Sequence, residues 1–172
     1  MTRSDSVGLT DGAGTSPLNE RAASKHGTRR KARRAALELR YEAHVRGVSA
    51  TELVTARQTE AEAAHARKES EPPKMIRPYT VEIIQGVSNH QERIDELLTT
   101  YSTNWPLDRM PIIDRELLRI GVWELLANPE VPASVVIDEA VSLAAELSTD
   151  DSPSFINALL DRIAKLKPML AD

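Results

Sequence analysis

Only six of the 172 residues are aromatic: Tyr41, Tyr79, Tyr101, Trp105, Trp123 and Phe155. A core so poor in rings must be assembled from Ala, Leu, Ile and Val, which suits packed helices better than sheets. Apolar residues still make up 41% of the chain, enough for one real core in a chain of this length. There is no cysteine, which removes disulfide scaffolds, Cys-type zinc sites and thiol catalysis from consideration. No stretch approaches the roughly 18 consecutive apolar residues of a membrane span. The start, Met1-Thr2-Arg3-Ser4-Asp5-Ser6-Val7, lacks the apolar segment of a secretory signal. The expectation is a soluble, cytoplasmic protein.

Helical periodicity then organises the chain into seven segments. Residues 1–27 hold four of the seven glycines and few large apolar groups, so they are expected to form a disordered N-terminal extension. From Thr28, Ala32, Ala35, Ala36, Leu39 and Ala43 recur at helical steps, and Gly47 marks a stop. Ser49-Ala50-Thr51-Glu52 reads as a capping box opening a helix to about Ser70. The stripe of that helix, Leu53, Val54, Ala61 and Ala64, is thin, which places it on the outside. Residues 76–87 form an amphipathic helix, and Asn89 with Glu92 reads as a second capping box opening another to Tyr101. The segment from Ile112 to Leu126 is apolar on most sides and is the expected central helix, with Pro111 at its start. Val136, Ala140, Leu143 and Leu147 give the next face. Asp150-Asp151-Ser152-Pro153 starts the last helix, faced by Ile156, Leu159, Leu160, Ile163 and Leu166. With no strand and no repeat, the fold class is an all-α, single-domain bundle of about seven helices over residues 28–168, with 169–172 as a tail.

Catalytic chemistry is hard to find. Gly8, Gly12 and Gly14 lie in the extension and not between a strand and a helix, so they form no phosphate loop. The four histidines are scattered, with none paired at helical spacing, which leaves no metal site. Asp150 and Asp151 read as caps, and no serine sits in a nucleophile elbow. No cofactor is expected, and the chain is not expected to be an enzyme.

Charge is distributed unevenly. The chain carries a net −4, yet residues 1–34 hold eight basic and three acidic side chains. Their densest run is Arg29-Arg30-Lys31-Ala32-Arg33-Arg34. In the first turns of a helix starting at Thr28, such cations oppose the dipole. Arg29/Arg33 and Arg30/Arg34 add like-charge pairs at i and i+4. A sequence that keeps this arrangement points to a polyanion to be neutralised. The plain alternative is a solvated basic face.

Several segments together resemble the NusB family of bacterial transcription antitermination factors. The run Arg29-Arg30-Lys31-Ala32-Arg33 is similar to the family's basic opening, with Tyr41 at its Tyr. Trp105-Pro106-Leu107-Asp108-Arg109-Met110 resembles its turn. Ile113 to Gly121 with Glu124-Leu125-Leu126 resembles its central helix, and Val136-Ile137-Asp138-Glu139-Ala140 the one after. Asp151-Ser152-Pro153-Ser154-Phe155-Ile156-Asn157-Ala158-Leu159-Leu160-Asp161 resembles its closing helix. The likeness spans roughly 29–167. Ala158 stands where a Gly is usual, Arg40 where an apolar residue is, and Ala43-His44 where a Trp is common.

The resemblance implies a protein that binds the single-stranded boxA element of ribosomal RNA leaders. It would do so with a ribosomal small-subunit protein acting as NusE, within the RNA polymerase antitermination complex. It also implies that Arg29, Arg30, Lys31, Arg33, Arg119, Asp151 and Phe155 face RNA, and that Tyr41 and Asp114 lie on the protein-partner side. A stand-alone module related to the N-terminal domain of RNA cytosine methyltransferases is the alternative; the chain ends at Asp172 without a methyltransferase domain. Each residue also has a structural reading: Arg119 pairing with Glu116, Phe155 in the core, Asp151 as a cap, Asp114 serving the helix dipole, and Tyr41 as a core ring. The apolar seams fit a monomer or a homodimer equally.

Overall fold

The computed structural model describes residues 17–170. Among these residues it is all-helical: α1 (Pro17–Arg46), α2 (Ala50–Ala66), α3 (Pro78–Tyr101), a 3₁₀ turn (Leu107–Arg109), α4 (Ile112–Ala127), α5 (Ala133–Leu147) and α6 (Ser152–Leu170).

The all-α expectation holds, but six α-helices replace about seven. The two segments divided at Asn89 are one helix, α3. Its stripe of Ile83, Ile84, Val87, Ile94, Leu97 and Leu98 runs past that point without a break. No proline interrupts it, so a cap-like Asn is carried inside the helix. At the other end, α1 begins at Pro17 and not at Thr28, so residues 17–27 are helical in backbone. Residues 1–16, the rest of the expected extension, lie outside the described residues. Helix α6 continues to Leu170, past the expected boundary at 168.

The turn signals act as their chemistry requires. Gly47 adopts φ +66, and the amides of Gly47 and Val48 bond back to the carbonyls of His44 and Ala43, closing α1. The Ser49 hydroxyl accepts from the Glu52 amide and opens α2. Helix α2 lies on α1 and α3 and buries the expected Leu53, Val54, Ala61 and Ala64. It ends at Ala66, short of Ser70, where Lys68 turns to φ 55.

Helix α4 is the hub, packed by α1, α3, α5 and α6. It buries Leu117, Leu118, Ile120, Val122, Trp123 and Leu125 on all sides. Four ionisable groups, Asp114, Glu116, Arg119 and Glu124, are buried with them. Gly86 lets α3 approach it closely: a Cβ there would lie 2.1 Å from Nε1 of Trp123.

Ala is favoured over Gly inside a helix by about 1 kcal/mol. Gly86→Ala is nonetheless expected to destabilise the protein, because a flat buried indole has nowhere to move. Overpacking of this kind costs about 1–3 kcal/mol. Urea denaturation checks the sign, and a stabilised variant would show that α3 and Trp123 are not in this contact.

Candidate nucleic-acid interface

The basic run lies in the interior of α1, about three turns from its start. The dipole penalty expected of a helix beginning at Thr28 therefore lapses, since it acts only within the terminal turn. What replaces it is a set of carboxylates. The Arg29 guanidinium reaches Glu130 at 3.2 Å. Arg30 donates to the Ser142 hydroxyl at 2.8 Å and lies 3.6 Å from Glu146 and 3.9 Å from Glu139. Arg34 bonds Glu146 at 2.6 Å and Glu38 at 3.2 Å. These acids, two of them on α5, offset the like-charge pairs that the spacing creates. Lys31 is exposed and has no ion pair among the described residues.

Arg33 is different in kind. It is 2% exposed, and its Nε donates to both oxygens of Glu124 at 2.9 and 3.0 Å. Burial works against its charge, but the hydrogen bond to Glu124 and that carboxylate's field outweigh it and hold the pKa above the ordinary value. The Tyr79 hydroxyl also donates to Glu124, and Asn128 Nδ2 donates to that hydroxyl at 3.1 Å. Burial, then the charge of Glu124, push the Tyr79 phenol well above its usual range, so it stays protonated. The RNA-facing role expected for Arg33 is thus corrected by its position: its head is sealed between α1, α3 and α4.

The other expected residues gather at the opposite end of α4. Asp114 is 0% exposed; it accepts from the Ser148 hydroxyl and from the Ser152 hydroxyl at 2.7 Å. It ties α4 to the α5–α6 turn through these two hydroxyls. Arg119 is also buried. Its Nε and Nη2 form a fork on Asp95 at 2.7 and 2.8 Å, and Nη1 bonds Glu116 at 2.6 Å. Burial disfavours its charge, yet the bond to Asp95 and the Glu116 and Asp95 charges keep its pKa raised. Glu116 is shared with buried Arg40 at 2.5 Å, so the arginine that departs from the family pattern has a defined partner. Asp151 is exposed in the turn before α6, and half-buried Phe155 meets Trp105 edge-on at 5.2 Å. Tyr41 is 41% exposed, near exposed Val45 and Val48 at the end of α1.

Two groups of candidates therefore emerge: Arg29, Arg30 and Lys31 on α1, and Asp151 and Phe155 at the start of α6. Helix α5 links them, because Glu146 in its last turn contacts Arg30 and Arg34 just before the chain turns into Asp151. Sequence reasoning missed Tyr79, whose ring centre lies 5.1 Å from the Arg29 guanidinium and 5.8 Å from that of Arg33. It also missed the acids facing the basic run. Their α5 spacing, Glu139 and Glu146 seven apart, was the available signal for a single acidic stripe.

Residues 30–165 match the model of the NusB family. The transcription antitermination protein NusB of Beutenbergia cavernae is 54% identical over 146 residues, covering 84% of this chain and 94% of its own. That of Paenarthrobacter aurescens is 51% identical over 142 residues, covering 83% and 96%. Among solved structures, T. maritima NusB matches with a TM-score of 0.64 at 28% identity, over 80% of this chain and 90% of its own. A chain from the crystal structure of antitermination factors NusB and NusE in complex with dsRNA shares the fold, with a TM-score of 0.62 at 24% identity, over 80% and 96%.

Arg33 and Arg30 should separate sharply in stability. Arg33→Ala leaves Glu124 buried without its cation, a change that costs about 3–5 kcal/mol. Arg30 is itself half-exposed and its link to buried Glu139 is long, at 3.9 Å, so Arg30→Ala should cost only about 1 kcal/mol. Chemical denaturation of both variants checks this; equal stability would place Arg33 at the surface.

Proposed function

The chain belongs to the NusB family, and we propose that it acts as a transcription antitermination factor. In this reading it binds boxA-type single-stranded RNA of ribosomal RNA leaders in the cytoplasm, together with the ribosomal small-subunit protein that serves as NusE. The complex supports read-through by RNA polymerase. The observation that carries the RNA half is the row Arg29, Arg30 and Lys31 on α1, continued along α5 to exposed Asp151 and half-buried Phe155. Cations of this kind bind phosphates and set register, while an exposed carboxylate and a ring at the α6 start suit base edges and faces.

The partner half is supported by the apolar group Tyr41, Val45 and Val48, all exposed at one end of α1. Tyrosine is favoured as an interface anchor because its ring adds area and its hydroxyl stays wet. Asp114 acts from behind as a structural tie, and Arg33 and Arg119 as internal braces. The methyltransferase-related reading has less support: the named relatives are antitermination proteins, matched over 94% and 96% of their own length.

Salt dependence tests the RNA half. Replacing Arg30 and Lys31 by Ala should weaken binding of a boxA-type oligonucleotide and lower the log–log salt slope by roughly 1.4, at about 0.7 per lost phosphate contact. Preference over a scrambled sequence should persist, because phosphate contacts carry no base information. An unchanged slope in the folded variant would return the run to a solvated face. For the partner half, Tyr41→Ala should weaken capture of the NusE-type protein by tenfold or more, the loss typical of an interface anchor. Its melting temperature should hold, since the ring is largely outside the core.

A further inference from the structure

We propose that Tyr79 is a positioning residue for RNA binding: its ring, fixed from behind by the buried Glu124, holds the Arg29 guanidinium at the surface where a phosphate meets it. The inference builds on the RNA-binding role proposed above and names a residue that makes no RNA contact itself.

The parts form a short chain of supports. Glu124 on α4 is buried and already committed to Arg33 through paired bonds at 2.9 and 3.0 Å. Its Oε1 also accepts a hydrogen bond from the Tyr79 hydroxyl. Asn128, at the C-terminal cap of α4, donates to the same hydroxyl at 3.1 Å. The phenol is therefore held by one acceptor and one donor, which sets the plane of the ring. The Trp123 ring lies 6.5 Å away, tilted against it. On the α1 side, Arg29 lies 5.1 Å above the ring centre, and Arg33, one turn on, lies 5.8 Å away.

A long arginine with part of its side chain in solvent, 20% for Arg29, still samples several rotamers, and ordering it opposes phosphate binding. A ring face removes most of that freedom before RNA arrives, and it attracts the cation without offering a competing anion. Glu130, the other partner of Arg29, is a competing anion, but it is exposed and lies in the α4–α5 connection. Incoming phosphate displaces Glu130 more readily than the ring, because the ring contact leaves the guanidinium's outer N–H groups free to donate. Arg29 thus differs from Arg30, which leans on the Ser142 hydroxyl and two carboxylates, and from Arg34, which leans on carboxylates alone.

The test is a double-mutant cycle of Arg29→Ala with Tyr79→Met, with Tyr79→Phe as the conservative variant. Affinity for a short boxA-type RNA is measured across a salt series. Tyr79→Met keeps the volume adaptable while removing the ring. It is expected to weaken binding about two- to fivefold, the worth of one exposed cation–π contact. It should also lower the salt slope by up to about 0.7. In the Arg29→Ala background the same change should do nothing further. Tyr79→Phe keeps the ring but loses the bonds to Glu124 and Asn128 that fix it, so its RNA affinity should fall between those of the parent and Tyr79→Met, with some loss of stability.

Additive effects in the cycle, or an unchanged slope in folded Tyr79→Met, would overturn the proposal. If Arg29→Ala alone leaves RNA binding intact, the RNA-binding reading fails instead. Should Tyr79→Met not fold, the parent protein still decides the matter. Ring-current displacement of the Arg29 side-chain resonances, retained in Tyr79→Phe, is expected in nuclear magnetic resonance spectra, and its absence would overturn the assignment.

Discussion

A helix packed by four others has little solvent face on which to place its ionisable groups, and α4 buries four of its five. Each has been met by a different neighbour. Asp114 takes the hydroxyls of Ser148 and Ser152 at the α5–α6 turn. Glu116 takes Arg40 of α1, Arg119 takes Asp95 of α3, and Glu124 takes Arg33 of α1 and Tyr79 of α3. Paired buried charges add little net stability compared with apolar packing, yet breaking one is costly. Their effect here is registration. Sliding α4 by one turn against α1 would strand two carboxylates and two guanidiniums together. The hydrophobic contacts around them, made by interchangeable Leu, Ile and Val, could not fix that register alone.

Registration is what places the candidate interface. The pairs Arg33–Glu124 and Arg40–Glu116 run in opposite chain directions along α1 and α4, which sets the two helices antiparallel. That arrangement sets Arg30 outward against α5, leaves Lys31 exposed and Arg29 half-buried, and turns Arg33 in. Four residues apart on one helix, Arg29 and Arg33 share a ring yet have opposite fates. The difference is whether the side chain meets the exposed Glu130 or the buried Glu124.

Much of the fold was legible before the structure was known. Periodicity placed the helices, Gly47 and Ser49 marked the α1–α2 corner, and the thin stripe of α2 named its buried residues correctly. These features are local, and local chemistry decides them. The continuity of α3 was misread because Asn89 and Glu92 have the composition of a cap, and only the tertiary stripe on either side shows that none is needed. The site was less legible for a related reason. Charged residues are mostly exposed, so Arg33, Asp114 and Arg119 were read as surface groups. Their burial depends on partners 34 to 91 residues away or on the neighbouring helix α3, and no spacing rule reaches that far.

The uneven charge of the chain also takes on a different meaning once folded. Counted along the sequence, the basic run stands apart from an acidic remainder. In space, Glu130, Glu139 and Glu146 lie against the same cations. A phosphate approaching Arg30 must therefore displace a carboxylate as well as water, and each such exchange yields less than a contact to a bare cation. For an RNA-binding protein this has a definite consequence. Phosphate contacts raise affinity for every sequence equally, so an undamped basic face would bind any RNA in the cell. Discrimination depends on the ratio between specific and non-specific binding. In the proposed interface, damping the cations while leaving Asp151 and Phe155 accessible would lower the sequence-blind part and preserve the base-reading part assigned to them. Acids placed beside the basic helix are thus compatible with RNA recognition, and they favour a selective form of it.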